Sequence, residues 1–210
     1  PNSKMTILGD FNQAIYAHSM NAPTLLSNEL YESKVVERME LTKSYRSTRQ
    51  IVNFTKEILS NIQIEPFNRS GPKPTVKKVK DDEERTFKIM KLLNTLKEAG
   101  HQTIAIICKT EDEAQRACVK LSKDLEVQLM NKDTYSYDRG VLVIPSYLSK
   151  GIEFDAVIIY DASNEAYHRE LERKLFYTAC TRAMHELYLF SKGELSSFIK
   201  AIPNELYEAE

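Results

Sequence analysis

With 210 residues, 42% of them hydrophobic and 28% charged, the chain has the composition of a folded globular protein, which excludes the disordered, collagenous and disulfide-scaffold classes. That length exceeds one typical domain, falls short of two, and buries enough apolar surface to need no cross-links. Twenty-nine Lys and Arg against thirty Asp and Glu leave a net charge of −1, which argues against bulk electrostatic capture of nucleic acid but leaves room for a local basic stripe.

The chain opens at Pro1 rather than Met and runs at once into strand-like sequence, the expected look of a piece of a longer protein. Lys4 to Leu8 and Val35 to Leu41 read as strands, and Ser47 with Gln50 reads as a capping box opening a helix whose apolar face is Ile51, Phe54, Ile58 and Ile62. After a Pro- and Gly-marked break comes a strand near Thr75 to Lys80. A helix then starts at about Asp82, with Phe87, Met90, Leu93 and Leu96 expected on one face. The lysines at 73, 77, 78 and 80 followed by Asp81 to Glu84 read as a solvated strand-to-helix turn, with acidic residues where a helix dipole favours them.

Thr103 to Cys108 is the clearest buried strand, and Thr110 with Glu113 caps the next helix, whose stripe is Ala114, Ala117, Cys118 and Leu121. Val141 to Ile144 and Ala156 to Tyr160 are two further strands around a polar loop at Ser149 to Glu153. A helix from His168 to Arg182, a strand at Leu187 to Phe190 and a short terminal helix complete the pattern. Such alternation predicts an α/β fold, a parallel sheet with helices on both faces, with ligands at the carboxyl ends of the strands. Cys108, Cys118 and Cys180 read as buried thiols of a reducing compartment. No apolar run is long enough to span a bilayer and no leader-like segment opens the chain, so the expectation is a cytoplasmic protein without a membrane partner.

The sequence holds no HExxH, CxxC or GxSxG, its four histidines lack metal-ligand spacing, and none of its six glycines begins a GxxxxGK[ST] phosphate loop. No metal ligands are assigned. An α/β chain without a phosphate cradle does not hold ATP tightly by itself. Four segments nonetheless join strand ends to polar residues that folding alone would not select. They are GDFNQAIY (Gly9 to Tyr16), SYRST (Ser44 to Thr48), SKGIEF (Ser149 to Phe154) and YTACTRA (Tyr177 to Ala183), the last placing Arg182 near the end of an otherwise apolar helix. Singly, each has an ordinary reading as a helix-end charge, a packing pair or a turn.

Together and in this order they resemble motifs III to VI of superfamily 1 helicases of the UvrD/Rep type. The resemblance implies a RecA-like fold, a P-loop NTPase-type sheet lacking its own P-loop. Residues 1–34 would be the tail of a first RecA-like domain and 35–210 a second one. It implies ATP with Mg as the bound species, the metal ligands and phosphate loop residing in the upstream domain of the same protein. Gln13 matches the glutamine that senses the γ-phosphate, and Arg46 and Arg182 match the two arginines that reach it across the interdomain cleft. Tyr45 matches an aromatic that stacks on adenine, Glu153 a carboxylate on the ribose hydroxyls, Gly151 a close backbone approach and Lys150 the motif lysine. The fragment alone is expected to show no ATPase activity.

The departures cluster on the strand-contacting positions. His18 and Ser19 stand where the family commonly has an aromatic and an arginine, and Pro145 and Tyr147 replace a Thr-x-His pair that faces DNA. The interval from Arg46 to Lys150 is too short for the large inserted domain of UvrD-type enzymes. The stretch from Ile144 to Phe154 resembles the HelD branch, whose members act on RNA polymerase. Three readings therefore stand: an ATP-driven DNA helicase or translocase, an ATPase that remodels or releases RNA polymerase without unwinding, and a non-catalytic scaffold.

Overall fold

The computed structural model describes residues 6, 8–15, 39–59, 62–134 and 139–210. The expected strand from Lys4 to Leu8, the residues Tyr16, His18 and Ser19, and the boundary at residues 34 and 35 lie wholly or mostly outside them. Of the expected strand ending at Leu41, the described part, Met39 to Leu41, is not extended into a ladder.

In chain order the strands are β1 (Lys43–Ser44), β2 (Glu65–Pro66), β3 (Thr75–Val79), β4 (Thr103–Cys108), β5 (Gln128–Leu129), β6 (Gly140–Pro145), β7 (Phe154–Ile159), β8 (Ala183–Lys192) and β9 (Glu208–Ala209). The helices are α1 (Arg49–Ile58), α2 (Asp82–Glu98), α3 (Glu111–Leu121), α4 (Glu170–Cys180) and α5 (Ser197–Lys200). Seven strands form one parallel sheet in the order β5-β6-β4-β7-β8-β3-β9, and β1 pairs with β2 in a separate two-stranded ribbon.

The central strands carry unbroken apolar runs because both faces of the sheet are covered. Along β4, Ala105 and Ile107 pack with Phe54 of α1, Phe176 of α4 and Phe198 of α5, while Ile104, Ile106 and Cys108 pack with Leu93 of α2 and Ala117 of α3. The period of two in a strand thus feeds two separate cores.

Helix starts follow local chemistry where no tertiary partner competes. Asp81 accepts the Glu84 N–H at 2.8 Å, Thr110 accepts that of Glu113 at 3.2 Å, and both helices begin with three acidic residues at the positive end of the dipole. The box expected from Ser47 and Gln50 does not form. Helix α1 begins at Arg49, the Ser47 hydroxyl donates instead to the carbonyl of Ala183 at 2.6 Å, and the Gln50 side chain bonds Ser70 at 2.9 Å and the Gly71 N–H at 3.0 Å. Both polar groups tie α1 to its surroundings rather than cap it.

Three other expectations change. Phe87 is 69% exposed, because α2 turns Arg85, Ile89, Leu93 and Leu96 to the sheet. Cys118 is half-buried, unlike Cys108 and Cys180. Arg182 lies beyond α4, in the turn into β8. No helix among the described residues is long and apolar enough to cross a membrane.

Candidate functional site

Arg46, Glu153, Gln13, Tyr45 and Tyr177 converge on one cleft of about 350 Å³. It lies at the amino ends of β7 and β8, since Glu153 immediately precedes β7 and Arg182 immediately precedes β8. This is the edge opposite to the one the doubly wound pattern predicts. The chain reaches it because the segment after β6 travels from the carboxyl edge of the sheet to the amino edge through a one-turn 3₁₀ helix, Ser146–Leu148, and a turn at Gly151.

Arg182 is 1% exposed. Its Nε donates to the Thr178 carbonyl at 2.9 Å, Nη1 to the Ile152 carbonyl at 3.3 Å, and Nη2 to Gln13 Oε1 and to Thr181 Oγ1, both at 3.2 Å. All four acceptors are neutral, and four of the five guanidinium N–H groups are engaged. A cation hydrogen-bonded only to neutral oxygens is costly to bury, and the charges of Glu153 and Asp10 offset part of that cost. Burial, followed by the Arg46 charge, lowers the Arg182 pKa to about 10, which still leaves it protonated at neutral pH. Arg182 does not itself line the cleft but sits behind Gln13 and Thr181, which do.

Arg46 differs in kind. Its Nε pairs with Glu153 Oε1, and both side chains are more than a third exposed. Such a pair contributes at most about 1 kcal/mol, so a phosphate can take the arginine from the carboxylate at little cost. The backbone beneath it is fixed: Ser47 bonds the Ala183 carbonyl, and the Thr48 N–H donates to the Met184 carbonyl at 3.1 Å.

Gln13 occupies a 3₁₀ turn, Phe11–Gln13, that Asp10 organises by accepting the Asn12 N–H at 2.9 Å and Gln13 Nε2 at 2.8 Å. Tyr45 is 64% exposed at the cleft lip, and its ring stands 4.7 Å from that of Phe67 because the paired β1 and β2 deliver both residues in register. Gly151 is needed for its backbone, φ +86°, and not for clearance, since a Cβ there would meet nothing within 4 Å. Lys150 is exposed and is not brought to the cleft.

Sequence reasoning passed over several cleft residues. Tyr177 stood inside a quoted segment without a role. It is buried on α4, and burial, with Asp10 next, pushes its pKa up to about 12 against the opposing pull of Arg182 and Arg46, so it is a neutral phenol at physiological pH. Asp10, Lys43, Thr55 and Lys56 also line the cleft, and nothing in the spacing marks them. Among the described residues no three His, Cys, Asp or Glu side chains come together as a metal site.

Residues 140–190, which hold the Gly151 loop, Glu153 and Arg182, match the UvrD-like helicase C-terminal domain family. The C-terminal domain of a possible DNA helicase from Lactobacillus plantarum WCFS1 is 39% identical, with a TM-score of 0.70 over 79% of this chain and 98% of that one. The chain belongs to the UvrD-like helicase C-terminal domain family. A UvrD-like C-terminal domain of this kind accounts for the RecA-like sheet described above. A further relative, R568 of Acanthamoeba polyphaga mimivirus, a candidate ATP-dependent DNA helicase, is 26% identical over 87% of this chain. The UvrD-like domain spans only 30% of that relative's length.

Proposed function

We propose that this domain forms one wall of an ATP site completed by an upstream RecA-like domain, in an ATP-dependent DNA helicase or translocase of superfamily 1. The observation that carries the reading is Arg182, a buried guanidinium bonded only to neutral oxygens, behind a cleft that a second arginine, Arg46, lines. Phosphoryl transfer spreads charge over equatorial oxygens, and a planar guanidinium stabilises it bidentately.

The donor set suits a nucleoside triphosphate: two guanidinium groups for anionic oxygens, the exposed Tyr45 ring for a base and Glu153 for sugar hydroxyls. In this reading Gln13 orients the attacking water, and the residues of the upstream domain would hold Mg, which would supply charge neutralisation at the phosphates. Closure of the cleft exchanges the Arg46–Glu153 pair for an Arg46–phosphate contact and leaves Glu153 free to accept from the ribose. The test is the ATPase rate of the full-length protein. Arg46→Ala and Arg182→Ala are each expected to slow it about 10³- to 10⁵-fold. A rate unchanged in either removes that residue's finger role.

A second reading, an ATPase that remodels RNA polymerase without unwinding, is supported by one contact. The Tyr147 hydroxyl donates to Glu111 at 3.3 Å, with Asp112 beside it, so the carboxyl edge of β4 and β6 presents carboxylates beside the position where Tyr147 replaces the family's DNA-facing residue. Like charges there oppose nucleic acid. Stimulation of the ATPase by single-stranded DNA favours the first reading, and stimulation by RNA polymerase alone favours the second.

A further inference from the structure

Helix α4 brings two residues of one face to the cleft. Tyr177 and Thr181 are one helical turn apart, the Tyr177 carbonyl accepts the Thr181 N–H at 2.9 Å, and both side chains line the cleft beside Gln13 and Arg46. Tyr177 is only 3% exposed and belongs to the core that holds Phe154, Phe176 and Leu187. Its ring is held by packing, so its hydroxyl has a fixed place on the wall.

That hydroxyl has no partner in the fold. Among the described residues none exchanges a hydrogen bond with it. Buried tyrosines ordinarily find one, because a polar group left unpaired in the interior carries its full desolvation cost. The polar groups around it are engaged with one another instead. Asp10 accepts the Asn12 N–H at 2.9 Å and Gln13 Nε2 at 2.8 Å, one on each carboxylate oxygen. The Thr181 hydroxyl donates to the Thr178 carbonyl at 2.9 Å and accepts from Arg182 Nη2 at 3.2 Å. The Tyr177 O–H is thus a donor left over on a wall where two guanidinium groups already favour an anion.

We propose that the Tyr177 hydroxyl donates to an oxygen of the terminal phosphate of a bound nucleoside triphosphate, as a further donor of the cleft beside Arg46. This deepens the ATP-site reading above and rests on it. The protonation state agrees with the geometry: burial first, then Asp10, keeps the phenol protonated with a pKa of about 12, so at neutral pH it donates and carries no charge to repel a phosphate. Arg46 must leave Glu153 to meet an anion, whereas Tyr177 has no bond to break. A neutral donor on a packed ring adds direction to a site whose arginines add charge.

The test compares wild type with Tyr177→Phe in the full-length protein, a substitution that keeps the ring and removes only the hydroxyl. Affinity is measured by calorimetry for ADP and for a non-hydrolysable ATP analogue, alongside steady-state ATPase. The analogue is expected to bind about 10-fold more weakly or worse with ADP unchanged, and kcat/KM to fall about 10- to 100-fold. The melting temperature of the free protein is expected to stay the same, since no bond within the fold is lost. A structural role would not confine the loss to the triphosphate, so equal weakening of both nucleotides, or a lowered melting temperature, overturns the proposal. Unchanged affinities in Tyr177→Phe together with a slow Arg46→Ala overturn it while leaving the ATP-site reading intact. An Arg46→Ala protein with wild-type ATPase and wild-type affinity for both nucleotides removes that reading, and this proposal with it.

Discussion

Gln13 Oε1 accepts from Arg182 Nη2 at 3.2 Å, a contact between residues 169 positions apart that closes the wall behind the cleft. The amide thereby fills one of the acceptor places that an anionic oxygen would take. A phosphate competing for Arg182 must displace or share that amide, which ties the state of the glutamine to the arrival of charge.

Replacing Arg182 by Met should separate stability from activity. The substitution removes a buried cation whose hydrogen bonds all go to neutral oxygens and keeps the apolar stem, but it takes the donors from the Thr178 and Ile152 carbonyls, so denaturant unfolding of the 210-residue chain should cost no more than about 1–3 kcal/mol. ATPase of the full-length protein should still fall about 10³- to 10⁵-fold. A loss of several kcal/mol would show that the arginine is there for the fold.

Ser47→Ala removes the donor to the buried Ala183 carbonyl. The orphaned acceptor should cost about 1–3 kcal/mol in urea unfolding. Because the same bond holds the Arg46 segment on β8, kcat should drop as well, and a destabilised variant with unchanged kcat would uncouple the two.

Two glycines should respond differently to alanine. At Gly71 an added Cβ would fall 2.6 Å from Cγ2 of the buried Thr48, so the 69–71 loop must move away from α1. At Gly151 there is open space and only the φ of +86° is strained, worth about 1–2 kcal/mol. Gly71→Ala should therefore impair ATPase more than Gly151→Ala at comparable melting temperature.

Acid should loosen the start of α4. Burial opposes ionisation of Glu172, but Lys109 at 2.7 Å and the N–H groups of Arg169 and His168 outweigh it, and the carboxyl lies below its ordinary value of 4.5. A depressed carboxylate contributes stability above its unfolded pKa and loses it as pH falls through the folded one. Stability should decline below pH 4.5, and Glu172→Gln should be less stable at neutral pH with a shallower acid decline. Parallel pH curves for the two proteins would rule this pair out as the cause.

The fold was legible where both faces of a strand are buried, because β4, β6 and β7 leave continuous apolar runs that admit few other readings. Two-residue strands such as β5 and β9 carry no such signal. Phe87 misled because helical spacing alone does not say which of two overlapping faces meets the sheet, and α2 buries Arg85 instead, held by Asp161 at 3.1 Å and Asp82 at 2.8 Å. At the cleft, the resemblance to the helicase motifs named Gln13, Arg46 and Glu153 on the wall and Arg182 behind it, whereas Asp10, Thr55 and Tyr177 were illegible, since their place depends on α1, α4 and the Asp10 turn meeting in space.

Ser47 and Thr48 bond the first two residues of β8, and Arg182 is the residue just before them. The two arginines consequently ride on a single strand end and cannot be repositioned independently. Under the ATP-site reading proposed above, a phosphate would meet Arg46 at the cleft wall first and Arg182 only once the Gln13 amide had given way, so the two contacts would form in a fixed order on one shared support.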